Sequence, residues 1–233
     1  MRIGTWNVNY AFRGRVDALA KVLDQNRADI WILTETHDDL APDGCIHFAH
    51  SEERVIGFPA GIRLGSRWVS IWSNYPIINK VLASERTVAA LIDVGGDKEL
   101  LVYGTVLPWQ DKIAGWSEHE RIIPMQCAEW LELRKKYPNT PLCIAGDLNT
   151  DMADGRRYGT KRGIADLRAG FSDAGVFCST EPERFPPGSL PILPIDHIAL
   201  PVEWENITSV VASWPADRAN LSDHSGMVVE VSI

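Results

Sequence analysis

Nothing in this chain reads as a membrane span, because no apolar run approaches the roughly 20 residues a helix needs to cross a bilayer. Cysteine is scarce. Cys45, Cys127, Cys143 and Cys178 form no C-x-x-C pair, and Cys143 sits inside an apolar run, so free buried thiols in a reducing compartment are expected. His37, Cys45, His47 and His50 lie close together, but their spacing matches no common zinc pattern and they read as surface or packing groups. Positive charge is also in short supply: 23 Lys and Arg stand against 31 Asp and Glu, a net charge of −8. That balance argues against a protein that depends on long-range attraction to nucleic acid. It leaves a nuclease open, because a bound metal ion can supply positive charge locally. There is no internal repeat, no low-complexity tract and no long polar linker. The opening residues Met1 to Trp6 lack the order of a secretory signal, so a cytoplasmic protein with no membrane partner is the expectation.

What is present suits one globular domain over residues 1–233, with 45% hydrophobic and 23% charged residues. Residues 2–8 and 29–35 read as strands, and between them Val16, Leu19, Ala20 and Leu23 recur at helical spacing, predicting a helix over about 14–26. Strand-like runs follow near 54–58, 67–73, 87–94 and 99–107, with Val69, Ile71 and Ser73 alternating as in a half-buried strand. Ser117 to Tyr137 is the longest helix candidate, with Ser117 and Glu120 at capping-box spacing. Pro124 implies that this helix either starts near Ile123 or kinks there. Residues 141–146 read as a buried strand, about 160–170 as a shorter helix, and 182–194 as a loop. Residues 195–200, 208–213 and 227–232 then close the chain as strands. Many short strands with few helices imply an α/β fold of two β-sheets packed face to face, with helices outside.

Five segments put polar or ionisable groups where strands end: Thr5-Trp6-Asn7-Val8-Asn9, the apolar run 30–33 closing on Thr34-Glu35, Gly146-Asp147-Leu148-Asn149, Asp196-His197-Ile198, and Ser222-Asp223-His224-Ser225. Each alone is ordinary; a terminal carboxylate is usually just solvated, and an Asp-His dipeptide is usually coincidence. Together they hold what phosphoester hydrolysis needs: oxygen ligands for a hard divalent cation, a carboxylate for water, phosphate donors and a histidine.

In order and content these motifs resemble those of the endonuclease/exonuclease/phosphatase superfamily, which includes DNase I-like nucleases, abasic-site endonucleases, deadenylases, sphingomyelinases and inositol phosphatases. The resemblance runs from residue 5 to 225 and implies a four-layer DNase I-like sandwich. It implies Mg²⁺ or Mn²⁺ as cofactor, with Glu35 as principal metal ligand and Asn7 and Asp223 as ligands or their supports. It further implies that Asp147 orients or deprotonates the attacking water, that Asn149 donates to the scissile phosphate, and that Asp196 pairs with His224, which acts as base or as cationic donor. His197, next along the strand, points to the opposite face and reads as structural. One departure stands out. DNase I-type nucleases carry a second catalytic histidine on the strand matching residues 101–106; here Thr105 or Val106 takes its place and Tyr103 is out of register, which points to the single-histidine members.

The resemblance therefore implies a phosphodiesterase or nuclease acting on DNA, RNA or nucleotides. A small-molecule phosphatase of the same fold is the alternative. A non-catalytic binding module would be expected to have lost Glu35, Asp147 or His224, and all three are present. Arg156, Arg157, Lys161 and Arg162, the densest basic cluster, are expected to bind a flanking phosphate, with a solvated surface as the competing reading.

Overall fold

The computed structural model describes residues 1–11, 14–54, 64–155, 158–186, 188–217 and 219–232. Two sheets face each other. The first is built from β11 (Thr208–Trp214), β12 (Gly226–Val231), β1 (Arg2–Asn7), β2 (Ile30–His37), β4 (Ser66–Ser73) and β3 (His47–His50), in that order. The second runs β5 (Ile77–Ala83), β6 (Thr87–Gly95), β7 (Lys98–Val106), β8 (Leu142–Asp147), β10 (Asp196–Pro201) and β9 (Val176–Cys178). Their inner faces interlock through Ile3, Ile32, Val69, Ile71, Val102, Ala145, Ile198 and Val229, all buried. Helix α1 (Val16–Asn26) covers the outside of the first sheet by laying Leu19 and Leu23 against Trp31 and Trp72. Helices α2 (Ser117–Lys136) and α3 (Lys161–Ala174) cover the second through Ile123, Trp130, Leu167 and Phe171. The result is the four-layer α/β sandwich expected from the strand-rich pattern and the resemblance. Among the described residues no helix is long and apolar enough to cross a membrane.

Several local expectations change. Strand β4 is buried on both faces rather than half-buried, because Val69 and Ile71 pack between the sheets while Trp72 packs under α1. Helix α2 starts at Ser117 and carries Pro124 inside it, so the alternative start near Ile123 does not occur. An interior proline costs about 3 kcal/mol, and the burial of Ile123, Trp130 and Leu133 on the core side offsets it. The capping box is not formed: Ser117 Oγ donates to the Ala114 carbonyl, and Glu120 accepts from Thr160 Oγ1. The run 54–58 falls almost wholly outside the described residues. The cysteines are free, with Cys127 only partly buried. His37 and His50 are packed and hydrogen-bonded, His37 to the Leu64 carbonyl and His50 to Ser70 Oγ.

Gly146 is where backbone geometry decides the site's position. It lies at φ +134°, and a Cβ there would stand 2.1 Å from the Thr105 carbonyl oxygen on the parallel neighbour β7. Only glycine lets β8 run this close to β7 and still turn Asp147 inward. Gly146→Ala is expected to lower unfolding stability by about 3 kcal/mol through overpacking and strain. The urea midpoint would report it, and an unchanged midpoint would mean that the β7–β8 spacing relaxes freely.

Candidate active site

The site forms because strand pairing brings the ends of separate chain segments together. Strands β1 and β2 are parallel, with Asn7 opposite Thr34, so Asn7 lies beside Glu35. Strands β8 and β10 are antiparallel, and Asp147 stands directly opposite Asp196. The two sheets meet at these strands, since β1 packs on β8 and β10. The segment before β12 is tied down from below: Ser222 Oγ donates to the Asn7 carbonyl at 2.5 Å, the His224 N–H donates to Ser222 Oγ at 3.1 Å, and Trp6 Nε1 donates to the His224 carbonyl at 3.1 Å. Core strands thus fix Asn7, Glu35, Asp147 and Asp196, and hydrogen bonds to β1 tie down the loop that carries His224.

The side chains form one network. Asn7 Nδ2 donates to Asp147 Oδ2 at 3.0 Å and to Glu35 Oε1 at 3.3 Å. Asp147 Oδ1 accepts the Asn149 N–H at 2.9 Å, and Asn149 Nδ2 donates to the Leu107 carbonyl at 2.8 Å. His224 Nδ1 lies 2.6 Å from Asp196 Oδ2. Carboxylate oxygens of Asp147 and Asp196 and a ring nitrogen of His224 all lie within 4.8 Å of one another. Asn9 bridges the edge: its N–H donates to Asn7 Oδ1 and its amide to Asp223 Oδ1.

Electrostatics follow from this crowding. Burial pushes the Asp147 carboxyl up; the His224 charge opposes that, while Asp196 and Glu35 reinforce it. Burial pulls the His224 ring toward neutrality, but Asp196 and Asp147 outweigh it and hold the ring's pKa above its ordinary value. Asp196 is fully buried, and its Oδ1 has no hydrogen-bond partner. Three site residues adopt left-handed backbone conformations that non-glycine residues rarely take: Asn9 at φ 46°, Glu35 at 47° and Asn149 at 48°. Such strain costs about 1–3 kcal/mol each and clusters at functional sites.

A cleft of about 420 Å³ opens over the network, lined by Glu35, Asp147, Asn149, Asp223 and His224 together with Tyr10, Trp109 and Tyr158. Asn7 and Asp196 sit beneath it, almost wholly buried. His197 is fully buried on the other face, its Nε2 against the Thr150 carbonyl and its Nδ1 against Thr180 Oγ1. Thr105 donates to Gln126, Val106 packs between the sheets, and Tyr103 donates to Glu129, so none of the three lines the cleft. Arg156 and Arg157 lie outside the described residues. Lys161 and Arg162 are exposed in the first turn of α3, where Arg162 faces Asp166 at 3.5 Å, and they are not part of the cleft lining.

Sequence reasoning missed several participants. Asn9 and Ser222 lie within the strand-end motifs and differ from spacer residues only in where their side chains reach. Arg54 gave no local signal. It is buried, its Nη1 lies 3.8 Å from Glu35 Oε2, its Nη2 donates to Tyr10 at 2.9 Å, and its guanidinium sits 3.3 Å from the Trp68 ring centroid. His119, buried on α2, links the Pro108 carbonyl to Thr150 Oγ1 and braces the loop after β8.

Carboxylates sharing a cleft with an amide and an imidazole suit metal-assisted phosphoester hydrolysis. Residues 4–224 match the model of the Endonuclease/Exonuclease/phosphatase family, and the chain belongs to that family of phosphoester hydrolases. No curated protein matches it in sequence. Among solved structures it is similar to an AP endonuclease from Archaeoglobus fulgidus, at TM-score 0.68 and 16% identity with 100% of each chain covered. It is similar to the 3′ phosphatase NExo from Neisseria bound to a product DNA hairpin, at TM-score 0.66 and 18% identity with 100% of each chain covered. It is also similar to a beta toxin variant from Staphylococcus aureus with bound magnesium ions, at TM-score 0.64 and 17% identity over 99% of each chain.

Proposed function

We propose that residues 1–233 act as one catalytic domain hydrolysing phosphodiester bonds in nucleic acid or nucleotides, with Mg²⁺ or Mn²⁺ as cofactor. The observation that carries this reading is the convergence of Asp147, Asp196 and His224 within 4.8 Å, in a cleft that also presents Glu35. The donor set fits a hard divalent cation, being carboxylate oxygen, and the carboxylates of the cleft outnumber the positive groups beside them, His224 and Arg54. Glu35 and Asp223 would hold the ion, with Asn7 as their support, because its Nδ2 donates to Glu35 and its Oδ1 is taken by the Asn9 N–H. Placement among Asp147, Asp196 and His224 is disfavoured, because it would compete with the 2.6 Å bond between His224 and Asp196. When bound, such an ion stabilises charge on the phosphoryl oxygens.

The chain's own residues supply the rest. Asp147, held by the Asn7 amide and the Asn149 N–H, orients the attacking water and takes its proton. His224, kept cationic by two carboxylates, donates to a phosphoryl oxygen. Asp196 fixes the ring with Nδ1 inward, leaving Nε2 for substrate. Asn149 uses one amide hydrogen on the Leu107 carbonyl and has a second for the phosphate.

Within this class the cleft favours nucleotides and short single strands. Among the described residues lining it there is no Lys or Arg, so that part of the lining offers no cation to a polyanionic backbone. The test is turnover of duplex DNA, single-stranded DNA, RNA, dinucleotides and sugar phosphates, with and without chelator. Chelator is expected to abolish activity and added Mg²⁺ or Mn²⁺ to restore it, with dinucleotides and single strands preferred. The slope of log kcat/KM against log salt should be shallower than about −1. Four backbone contacts by Arg156, Arg157, Lys161 and Arg162 would instead give about −3.6 on duplex DNA. Turnover that persists in chelator would refute the metal-assisted reading, and a steep slope would return the basic cluster to a substrate role.

A further inference from the structure

The cleft has a second chemistry beside its carboxylates. Trp109 is 42% exposed and forms part of its wall. Its ring is braced from within the protein, by Trp68 at 5.8 Å between ring centroids and by the Arg86 guanidinium at 5.6 Å. Tyr158 also lines the cleft and is braced by Trp116, edge-on at 5.1 Å. The backbone N–H of Gln110, the residue after Trp109, acts on the Tyr158 hydroxyl and favours its ionised form, so the two aromatic walls border the same stretch of chain. Leu193 and Pro194 continue this apolar lining, and Ile192 is 61% exposed at the rim.

An exposed tryptophan in a polar cleft loses hydrophobic free energy unless something covers it, and a phosphate cannot. A planar π-system can, by stacking in the offset or edge-to-face geometry that aromatic pairs prefer. We infer that Trp109, with Tyr158, forms a stacking subsite for a planar aromatic ring carried by the group next to the scissile phosphate, making the nucleobase of a nucleotide a recognised part of the substrate. The inference rests on the proposed reading of the cleft as the phosphoesterase site and narrows its substrate class. Braced rings bind at low cost in conformational entropy, because little side-chain freedom remains to be lost. Stacking is sequence-tolerant, since every base offers a π-face, so preference among bases should be weak.

The experiment is calorimetric titration of the full chain, in Mg²⁺-containing buffer, with a nucleoside 5′-monophosphate and with ribose 5-phosphate, which share phosphate and sugar and differ in the base. The wild type is expected to bind the nucleotide about 5- to 150-fold tighter, the span of one base–aromatic stack. In Trp109→Ala that ratio should fall toward one, and in Trp109→Phe most of it should survive. Equal affinities in the wild type, or a ratio undiminished in a folded Trp109→Ala protein, would overturn the stacking subsite while leaving the phosphate site standing. If neither compound binds the wild type, the reading of the cleft as a phosphoester site fails and the subsite fails with it.

Discussion

Glu35→Ala is expected to abolish metal-dependent turnover, lowering kcat/KM by about 10³-fold or more, while the protein still folds. A bound divalent ion supplies several kcal/mol of charge stabilisation in the transition state, and each 1.36 kcal/mol is about tenfold in rate. On the proposed reading Glu35 is the carboxylate that holds that ion. It ends the apolar run of β2 in a left-handed backbone conformation, takes the Asn7 amide on one oxygen, and leans toward Arg54 with the other. The fold should survive because the strand carrying Glu35 is held by Ile30, Ile32 and Leu33, and because Arg54 keeps its stack on Trp68 and its bond to Tyr10. Activity against Mg²⁺ concentration, together with calorimetric Mg²⁺ binding, checks the result. Full activity in this variant at ordinary millimolar Mg²⁺ would remove Glu35 from the metal site.

His224→Ala is expected to lower turnover by roughly 10²- to 10⁴-fold, the scale of a positioned acid–base or charge-stabilising group. Asp196→Asn should cost less, because an amide oxygen can still accept the ring N–H and hold the imidazole in place, although it no longer favours the charged ring. The order of the two losses is the informative part. His224 lines the cleft, whereas Asp196 is fully buried beneath it and, on the proposed reading, acts through the ring. Wild-type rates in both variants would sink the assignment, and a larger loss in Asp196→Asn would mean that the carboxylate does more than support.

Which strands were legible in the sequence follows from where they sit. Strands β1, β2, β4, β6, β7, β8, β10 and β12 lie inside the sheets, and their apolar runs announce them. The three strands that gave no usable signal, β3, β5 and β9, are all at sheet edges, whereas β11, the fourth edge strand, was legible over 208–213. An edge strand buries less side chain, as the mostly exposed or half-exposed β5 illustrates, so selection for an apolar pattern is weak there. The capping box at Ser117 failed for a related reason: a local pattern offered one hydrogen bond, and the neighbouring Thr160 and Ala114 offered better ones.

Read alone, the sequence determined the chemical inventory and the layered α/β class. A polar or ionisable residue closing an apolar strand is a local signal, and Asn7, Glu35, Asp147, Asp196 and His224 could all be named from it and from the family's motif order. Only the tertiary structure decided how these groups meet. The register of β8 against β10 sets Asp147 opposite Asp196, and the loop before β12 brings His224 onto Asp196 across 28 residues of sequence. The same holds for Arg54 against Glu35 and for Trp109 against Trp68, contacts between distant segments with no mark in either one. Hydrophobic periodicity records whether a side chain is buried; which partner it is buried against is set by strand order, register and sheet packing, and these belong to the whole chain.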